Sequence, residues 1–163
     1  MTEENQPNAQ PADTAPVFLL EKIYVQDLSI EVPHAPGIFL EQGEPKIDIQ
    51  LNNVGGLIQG NLFSSILTVT VNAKLGEKTV FCVEVKQAGI FRLHNIPPAE
   101  VEPLLAVSCP NILLPYAREA ISEATMRAGF PPVYIQPVNF DGIYRAQLQE
   151  REKQQAGQNT EAG

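Results

Sequence analysis

The chain has 163 residues, of which 44% are apolar, so it is long enough to form one domain with a core of its own. Nineteen acidic residues against eleven basic ones give a formal net charge of −8 at pH 7, which disfavours nucleic acid and anionic lipid as partners, because like charges repel. A basic protein surface is the natural complement, although solubility alone also accounts for an acidic surface.

The two ends of the sequence are polar. Residues 1–16 and 153–163 are rich in Gln, Asn, Glu and Thr, and they bury too little apolar surface to offset the entropy of ordering. The sequence therefore predicts two disordered tails around one folded domain at residues 17–152. The chain starts without a basic, apolar leader, and no apolar run approaches the roughly 20 residues that span a bilayer. We therefore expect a cytoplasmic protein without membrane insertion.

The folded part begins with a segment of strand character, residues 18–32. Ile23 and Val25 share one phase of its two-residue period, whereas Leu28 and Ile30 share the other. The change of phase predicts a β-bulge between these two pairs.

Residues 33–45 follow as a crossing loop, because three prolines and two glycines exclude a regular strand. The loop nevertheless contains three consecutive apolar residues, Ile38, Phe39 and Leu40. Such a triplet packs on the core or lines a groove, and the pattern alone favours packing.

Three further segments, residues 46–52, 66–73 and 79–87, alternate between apolar and polar side chains. A glycine-containing turn, KLGEK, leads into the last of them. This period predicts an antiparallel meander with one apolar face and one hydrated face. The apolar positions are Ile47, Ile49, Leu51, Leu67, Val69, Val71, Phe81, Val83 and Val85.

The period then changes to that of helices. Residues 99–106 predict a short helical turn, and residues 109–129 predict a long helix with Pro110 near its start and Gly129 at its end. A last helix is predicted at residues 139–152. One stripe of the long helix is made mainly of small residues, which suits the close approach of either a second helix or the chain's own sheet. The stripe consists of Leu113, Ala117, Ala120, Ala124 and Ala128.

The sequence offers few groups for catalysis. His34, His94, Cys82 and Cys109 lack the spacing of zinc ligands, and no phosphate-binding or nucleophile motif occurs. A thiol just ahead of a helix, such as Cys109, is more often a small buried apolar residue than a nucleophile. We therefore expect no enzyme, no cofactor and no metal ion bound by this chain.

Five stretches in order carry a resemblance to a known family: IYVQDLSIEVPHAP, LTVTVNAKLGE, QAGIF, CPNILLPYARE and PVNFD. From about Ile23 to Leu148 the chain resembles SecB, a family of bacterial protein-export chaperones. The resemblance implies an α+β fold with a four-stranded antiparallel sheet, a long helix and a C-terminal helix, assembled as a homotetramer that is a dimer of dimers. It also implies that the protein holds unfolded preproteins in apolar grooves, keeps them translocation-competent and delivers them to the SecA ATPase.

The resemblance, together with the strand pattern, assigns three sets of residues. The set for SecA, whose basic zinc-binding C-terminal tail is the implied partner, is Asp27, Glu31, Cys82 and Glu84. The set that lines the client groove is Ile38, Phe39, Leu40, Ile47, Ile49 and Leu51. The set for subunit association is Phe81, Val83, Val85, Gln87, Ala117, Ala120 and Ala124.

The chain departs from the family pattern at two positions. The family often has a Trp in the crossing loop where this chain has Gly43, and it can have a bulkier aliphatic residue where this chain has Cys82. These departures put in doubt the aromatic part of the groove and the apolar part of the SecA contact. Two alternative functions are a chaperone of a toxin–antitoxin system, which some relatives are, and an enzyme that binds a small molecule. The intact acidic set favours export.

Overall fold

Four antiparallel strands form a single sheet in the computed structural model, which describes residues 13–161. The strands are β1 (Val17–Glu31), β2 (Lys46–Gln59), β3 (Leu62–Leu75) and β4 (Lys78–His94). Their order across the sheet is β1-β4-β3-β2, so β1 and β2 are the edge strands. The predicted fold class and the four-stranded antiparallel sheet are confirmed.

The strands are longer than the alternating segments of the sequence because two tight turns keep the chain in register. Gly60 and Gly76 have φ values of +56° and +59°, and these left-handed conformations close the β2–β3 and β3–β4 hairpins. The register of β1 against β4 shifts between Val25 and Asp27, which confirms the predicted bulge. A second shift, next to Leu20, is not visible in the sequence pattern.

Helical structure follows the sheet in three pieces. Helix α1 (Pro98–Pro103) leads through a π-helical turn (Leu104–Ser108) into α2 (Cys109–Arg127). Pro110 occupies the first turn of α2, directly after the π-helical turn, whose Leu105 carbonyl accepts a hydrogen bond from the side chain of Asn53 instead. Gly129, at φ +92°, donates its N–H to the carbonyl of Met126 just past the end of the helix.

Helix α2 packs on one face of the sheet, which we call the inner face. Leu67 and Val69 of β3 and Val83 and Val85 of β4 lie on this face and are completely buried. Their neighbours in sequence point to the opposite side, which we call the outer face. Ala117 of α2 is also completely buried, so the small-residue stripe lies on the chain's own sheet. The structure thus selects one of the two alternatives that the sequence leaves open.

Helix α3 (Phe140–Glu161) begins where the sequence predicts it but ends later. The side-chain oxygen of Asn139 accepts a hydrogen bond of 3.0 Å from the N–H of Gly142, which caps the first turn. The disordered tail expected from residue 153 is wrong for residues 153–161, which continue the helix. Gln, Glu, Lys and Ala are good helix formers, and residues 153–160 are helical although all of their side chains are exposed. Residues 13–16 are exposed and have no regular structure, and the rest of the predicted N-terminal tail lies outside the described residues.

Gly89 of β4 is expected to tolerate no side chain. A Cβ atom there would lie 2.8 Å from Cε2 of Phe91 and 3.2 Å from Cδ2 of Leu113, so α2 and the sheet would have to separate. Gly89→Ala should lower the free energy of unfolding by about 1–3 kcal/mol in urea denaturation. Gly56→Ala is the control, because no atom lies within 4 Å of the added carbon. Equal losses in both variants would contradict this account of the packing.

Candidate functional site

The outer face carries the acidic residues that the sequence assigns to SecA. In the register of β1 against β4, Glu31 lies opposite Cys82 and Ser29 lies opposite Glu84. All of these residues belong to the outer phase of their strands. We call Asp27, Glu31, Cys82 and Glu84 the acidic patch, and the two strands bring its members together across the β1–β4 ladder.

The charges of the acidic patch are not evenly distributed. Asp27 lies opposite Lys86, so one of the three carboxylates has a cation beside it. Glu84 accepts a hydrogen bond of 2.8 Å from the hydroxyl of Thr70 on β3, which fixes its direction. Burial raises the pKa of the Cys82 thiol, and the negative charges of Glu31 and Glu84 raise it further. The thiol therefore lies in the combined negative potential of both carboxylates.

The inner side of edge strand β2 forms an apolar groove that α2 does not cover. Ile47 is 39% exposed, whereas Ile49 and Leu51 are half-buried and pack against the edge of the core. The first turns of α3 lie over the middle of this groove and enclose about 120 Å³. The residues around this cavity are Leu51, Asn52, Asn53, Leu67, Ala106, Phe140, Ile143, Tyr144 and Gln147.

A second cleft continues the groove toward α1. It has a volume of about 350 Å³ and lies between β2, α1, the π-helical turn and the first half of α3. Asn53 joins these elements, because its side-chain amide donates a hydrogen bond of 3.0 Å to the carbonyl of Leu105. Arg151 of α3 forms an ion pair of 2.7 Å with Glu102 of α1 across the far side of the cleft. The groove therefore runs between a sheet edge and the first half of α3, which is held by the Asn139 cap at its start and by the Arg151 ion pair at its middle.

The crossing-loop triplet divides between the core and the surface. Ile38 is 4% exposed and belongs to the core, so it offers almost no surface to a client in this conformation. Phe39 is 49% exposed and stacks on Phe130 at 5.1 Å between ring centroids, and Leu40 is 86% exposed. A short 3-10 turn over Gly37–Leu40 separates their directions. Only Phe39 and Leu40 remain available to a client.

The strand residues assigned to subunit association are buried within this chain. Phe81, Val83, Val85 and Gln87 are 0–3% exposed beneath α2, so they have no surface left for direct contact with another subunit. Gln87 donates its side-chain amide to the carbonyl of Tyr24 at 3.1 Å, next to the bulge in β1. If these residues affect assembly, they therefore act indirectly, because they set the positions of β1 and α2.

The alanine residues assigned to subunit association also face the chain's own sheet. Ala117 is fully buried, and Ala120 and Ala124 are 8% and 6% exposed. The last two border a cleft of about 210 Å³ between α2 and the inner side of β1, together with Leu28 and Ile30. Their direct contact with a partner helix is not supported, but the cleft beside them is open.

Several exposed apolar residues escape the sequence analysis. Val54 and Leu57, 58% and 63% exposed, lie in the part of β2 beyond residue 52, where the alternation stops. The Gly60–Asn61 pair is a sequence signal that β2 continues beyond residue 52, because two such residues between apolar runs are typical of a hairpin. Tyr24, 37% exposed, escapes because the bulge reverses the phase of β1.

The metal-ligand residue types are spread apart in the part of the chain that the structure describes. Cys82 is on the outer face, and Cys109 is completely buried beneath the inner face. Within residues 13–161, no three His, Cys, Asp or Glu side chains form a group that could hold a metal ion. No helix among these residues is long and apolar enough to cross a membrane.

Comparison with known proteins gives one consistent family. The family model described as preprotein translocase subunit SecB matches residues 11–151. The chain belongs to the SecB family. A relative from Dechloromonas aromatica, named protein-export protein SecB, is 60% identical over 83% of this chain and 90% of its own length. Relatives of the same name from Chromobacterium violaceum and Neisseria meningitidis are 50% and 54% identical over 95% and 87% of this chain, and over 98% and 95% of their own lengths.

Among solved structures, a SecB-like chaperone of Mycobacterium tuberculosis, in complex with a peptide from the antitoxin HigA1, has the same fold. Its TM-score is 0.62 at 16% identity, and the match covers 75% of this chain and 91% of the other. SecB proteins are protein-export chaperones, and the family is not a class of enzymes.

The acidic patch can be tested through its thiol. Alkylation of the native protein should modify Cys82 and spare Cys109, whose burial raises its pKa to about 12. Thiolate is the reactive form, so lowering the thiol pKa speeds the reaction at a given pH. Replacing both Glu31 and Glu84 with Gln removes two negative charges and should shift the rate profile of Cys82 to lower pH. Glu77→Gln in the β3–β4 turn is the control, and identical profiles for all three proteins would contradict the proximity of the carboxylates to the thiol.

Proposed function

We propose that this protein is a cytoplasmic chaperone without catalytic activity or cofactor that holds unfolded preproteins in the β2 groove and delivers them to SecA through the acidic patch. The observation that carries the proposal is the position of two chemically different surfaces on opposite faces of one sheet. An apolar groove faces inward beside α2, and the carboxylates face outward. Client and SecA therefore need not compete for the same residues.

The groove suits an unfolded chain because its contacts require little sequence specificity. Ile47, Leu40 and Phe39 expose apolar surface, and an unfolded client exposes apolar segments of its own. Strand β2 is also an edge strand, whose free backbone N–H and C=O groups run beside the groove. Apolar contact at low specificity is what a chaperone with many clients needs.

The acidic patch suits the basic zinc-binding tail that the family resemblance implies for SecA. Glu31 lies opposite Cys82 and Glu84 lies two residues further along β4, and Thr70 holds Glu84 in place. Exposed ion pairs contribute only about 0–1 kcal/mol each and weaken with salt, so such a contact steers association more than it holds the complex. The zinc ion in this contact would belong to the partner.

A homotetramer built as a dimer of dimers is part of the proposal. Edge strand β1 exposes Leu19, Val25 and Leu28 at 46–54%, and the open cleft between β1 and α2 lies beside Ala120 and Ala124. An unpaired strand edge and an apolar cleft are two distinct surfaces, and two distinct surfaces are what a dimer of dimers requires. The interface is therefore expected to use β1 and the cleft rather than the buried side chains of β4.

A second candidate function is that of a chaperone for an antitoxin. The similarity in fold to the Mycobacterium tuberculosis chaperone, solved with an antitoxin peptide, favours this alternative. Competition between an antitoxin peptide and a denatured preprotein for the native chain would distinguish the two, because an antitoxin chaperone prefers the peptide.

Client binding should depend on the exposed residues of the groove. Ile47→Thr with Leu40→Ser removes apolar surface without touching the half-buried Ile49 and Leu51, so the fold should survive. Affinity for a denatured preprotein, measured by fluorescence anisotropy, should fall about tenfold, since each methylene group lost from the contact weakens binding by about 0.8 kcal/mol. Val54→Thr is the control, because Val54 is 58% exposed on the opposite, outer face of the same strand β2. Unchanged affinity in the double variant with a lower affinity in the control would place the client elsewhere.

SecA binding should depend on Glu84. Glu84→Lys replaces a carboxylate of the acidic patch with a cation, so affinity for SecA should fall and its salt dependence should decrease, while client binding stays unchanged. Titration calorimetry at low and high salt measures both effects. Glu77→Lys in the exposed β3–β4 turn changes the net charge equally and serves as the control. Loss of client binding with intact SecA binding would mean that the two surfaces are assigned the wrong way round.

A further inference from the structure

The outer face is not polar throughout. Four residues that lie side by side across all four strands, Tyr24, Ala88, Ile66 and Val54, are apolar. The next three rows across the same face are mostly polar or charged. These rows are Asp27–Lys86–Thr68–Asn52, Ser29–Glu84–Thr70–Gln50 and Glu31–Cys82–Asn72–Asp48. One apolar row therefore borders the half of the face that carries the acidic patch, and we call it the apolar strip.

The apolar strip does not belong to the core of the domain. None of its four side chains is part of the core cluster or packs against it, although Ala88 has no exposed surface. Ala88 is fully buried on the side of the sheet opposite α2, and its cross-strand neighbours are the larger residues Tyr24 and Ile66. Val54, at the edge of the sheet, remains 58% exposed. The strip is thus a packed apolar surface without a cover among the described residues.

The strip and the acidic patch form one continuous surface. Ala88 and Glu84 are four residues apart on β4, which places them about 13 Å from each other along the strand. The bulge between Val25 and Asp27 allows Tyr24 to share the outer face with Asp27. Gln87 holds this bend through its hydrogen bond to the carbonyl of Tyr24. The apolar strip and the acidic patch are therefore held at a fixed distance from each other.

We propose that the apolar strip is an anchoring surface for the same basic partner that binds the acidic patch. This inference rests on the proposed delivery to SecA. The charge of the patch selects a cationic segment, and exposed ion pairs alone give little affinity. A partner segment with an apolar or aromatic side chain about 13 Å from its basic residues gains a contact that salt does not screen. The patch steers the partner, and the strip retains it.

The test separates a salt-independent contribution to binding from a salt-dependent one. Tyr24→Thr with Val54→Thr places a residue of high strand propensity at both positions and removes most of the exposed apolar surface of the strip. Affinity for full-length SecA should fall roughly tenfold, equivalent to about two methylene groups lost from the contact, with the slope of affinity against salt unchanged. Glu84→Lys is expected to change that slope. Ile47→Thr is the matched control, because it makes the same kind of change on the inner face of β2 and should leave SecA binding intact.

Each outcome decides the proposal. Native affinity for SecA in the double variant would overturn it, as would a loss of preprotein binding instead of SecA binding, which would make the strip a client surface. If circular dichroism shows that the double variant is unfolded, Val54→Thr alone gives the same comparison. The expected loss of affinity is then about fourfold, the equivalent of one methylene group removed from the contact. If the native chain fails to bind SecA, the proposed delivery fails first, and this inference fails with it.

Discussion

The packing of α2 across β3 and β4 is the constraint on which the other features of this protein depend. A helix is about 10–12 Å wide with its side chains, and four strands spaced about 4.8 Å apart form a wider surface. One helix therefore seals the two central strands and leaves the inner sides of both edge strands partly uncovered. Ala117 and Gly89 allow the closest approach, because neither places a large side chain between helix and sheet. The β2 groove and the β1 cleft are the two margins that remain.

The same constraint separates the two chemistries of the sheet. Successive residues of a strand point to opposite faces, so sealing Val83 and Val85 beneath α2 turns Cys82 and Glu84 toward solvent. A carboxylate can therefore follow a buried valine in the sequence and still remain in contact with water. The sheet therefore separates the apolar groove beside β2 on its inner side from the carboxylates of β1 and β4 on its outer side.

The sequence predicts best what depends on local periodicity. The alternation of residues 46–52, 66–73 and 79–87 is a property of the chain itself, and these segments become strands with the predicted inner face. The bulge in β1 is also visible, as a change of phase. The acidic patch follows, because faces and charges both come from the alternation.

The sequence predicts less well what depends on which surface is covered. Ile38 and Leu40 are both apolar loop residues, but only one meets the core, and no local pattern distinguishes them. The alanine stripe fits a partner helix as well as the chain's own sheet, because small residues permit both. The residues of β4 that the family resemblance assigns to assembly are interior in this chain. A resemblance indicates that a position affects assembly, but it does not indicate whether the side chain contacts the other subunit.

The outer half of α3 has a consequence for the energetics of the chain. From Glu152 to Thr160, every side chain is exposed, and the last ion pair to another element among the described residues is that of Arg151. An isolated helical segment of this length is marginal in water, because helix nucleation costs more than a few hydrogen bonds return. Its order is therefore set by a local helix–coil equilibrium and not by the cooperative unfolding of the domain. The chain thus carries a terminal segment whose conformation a partner or a change in temperature could shift at almost no cost to the stability of the sheet.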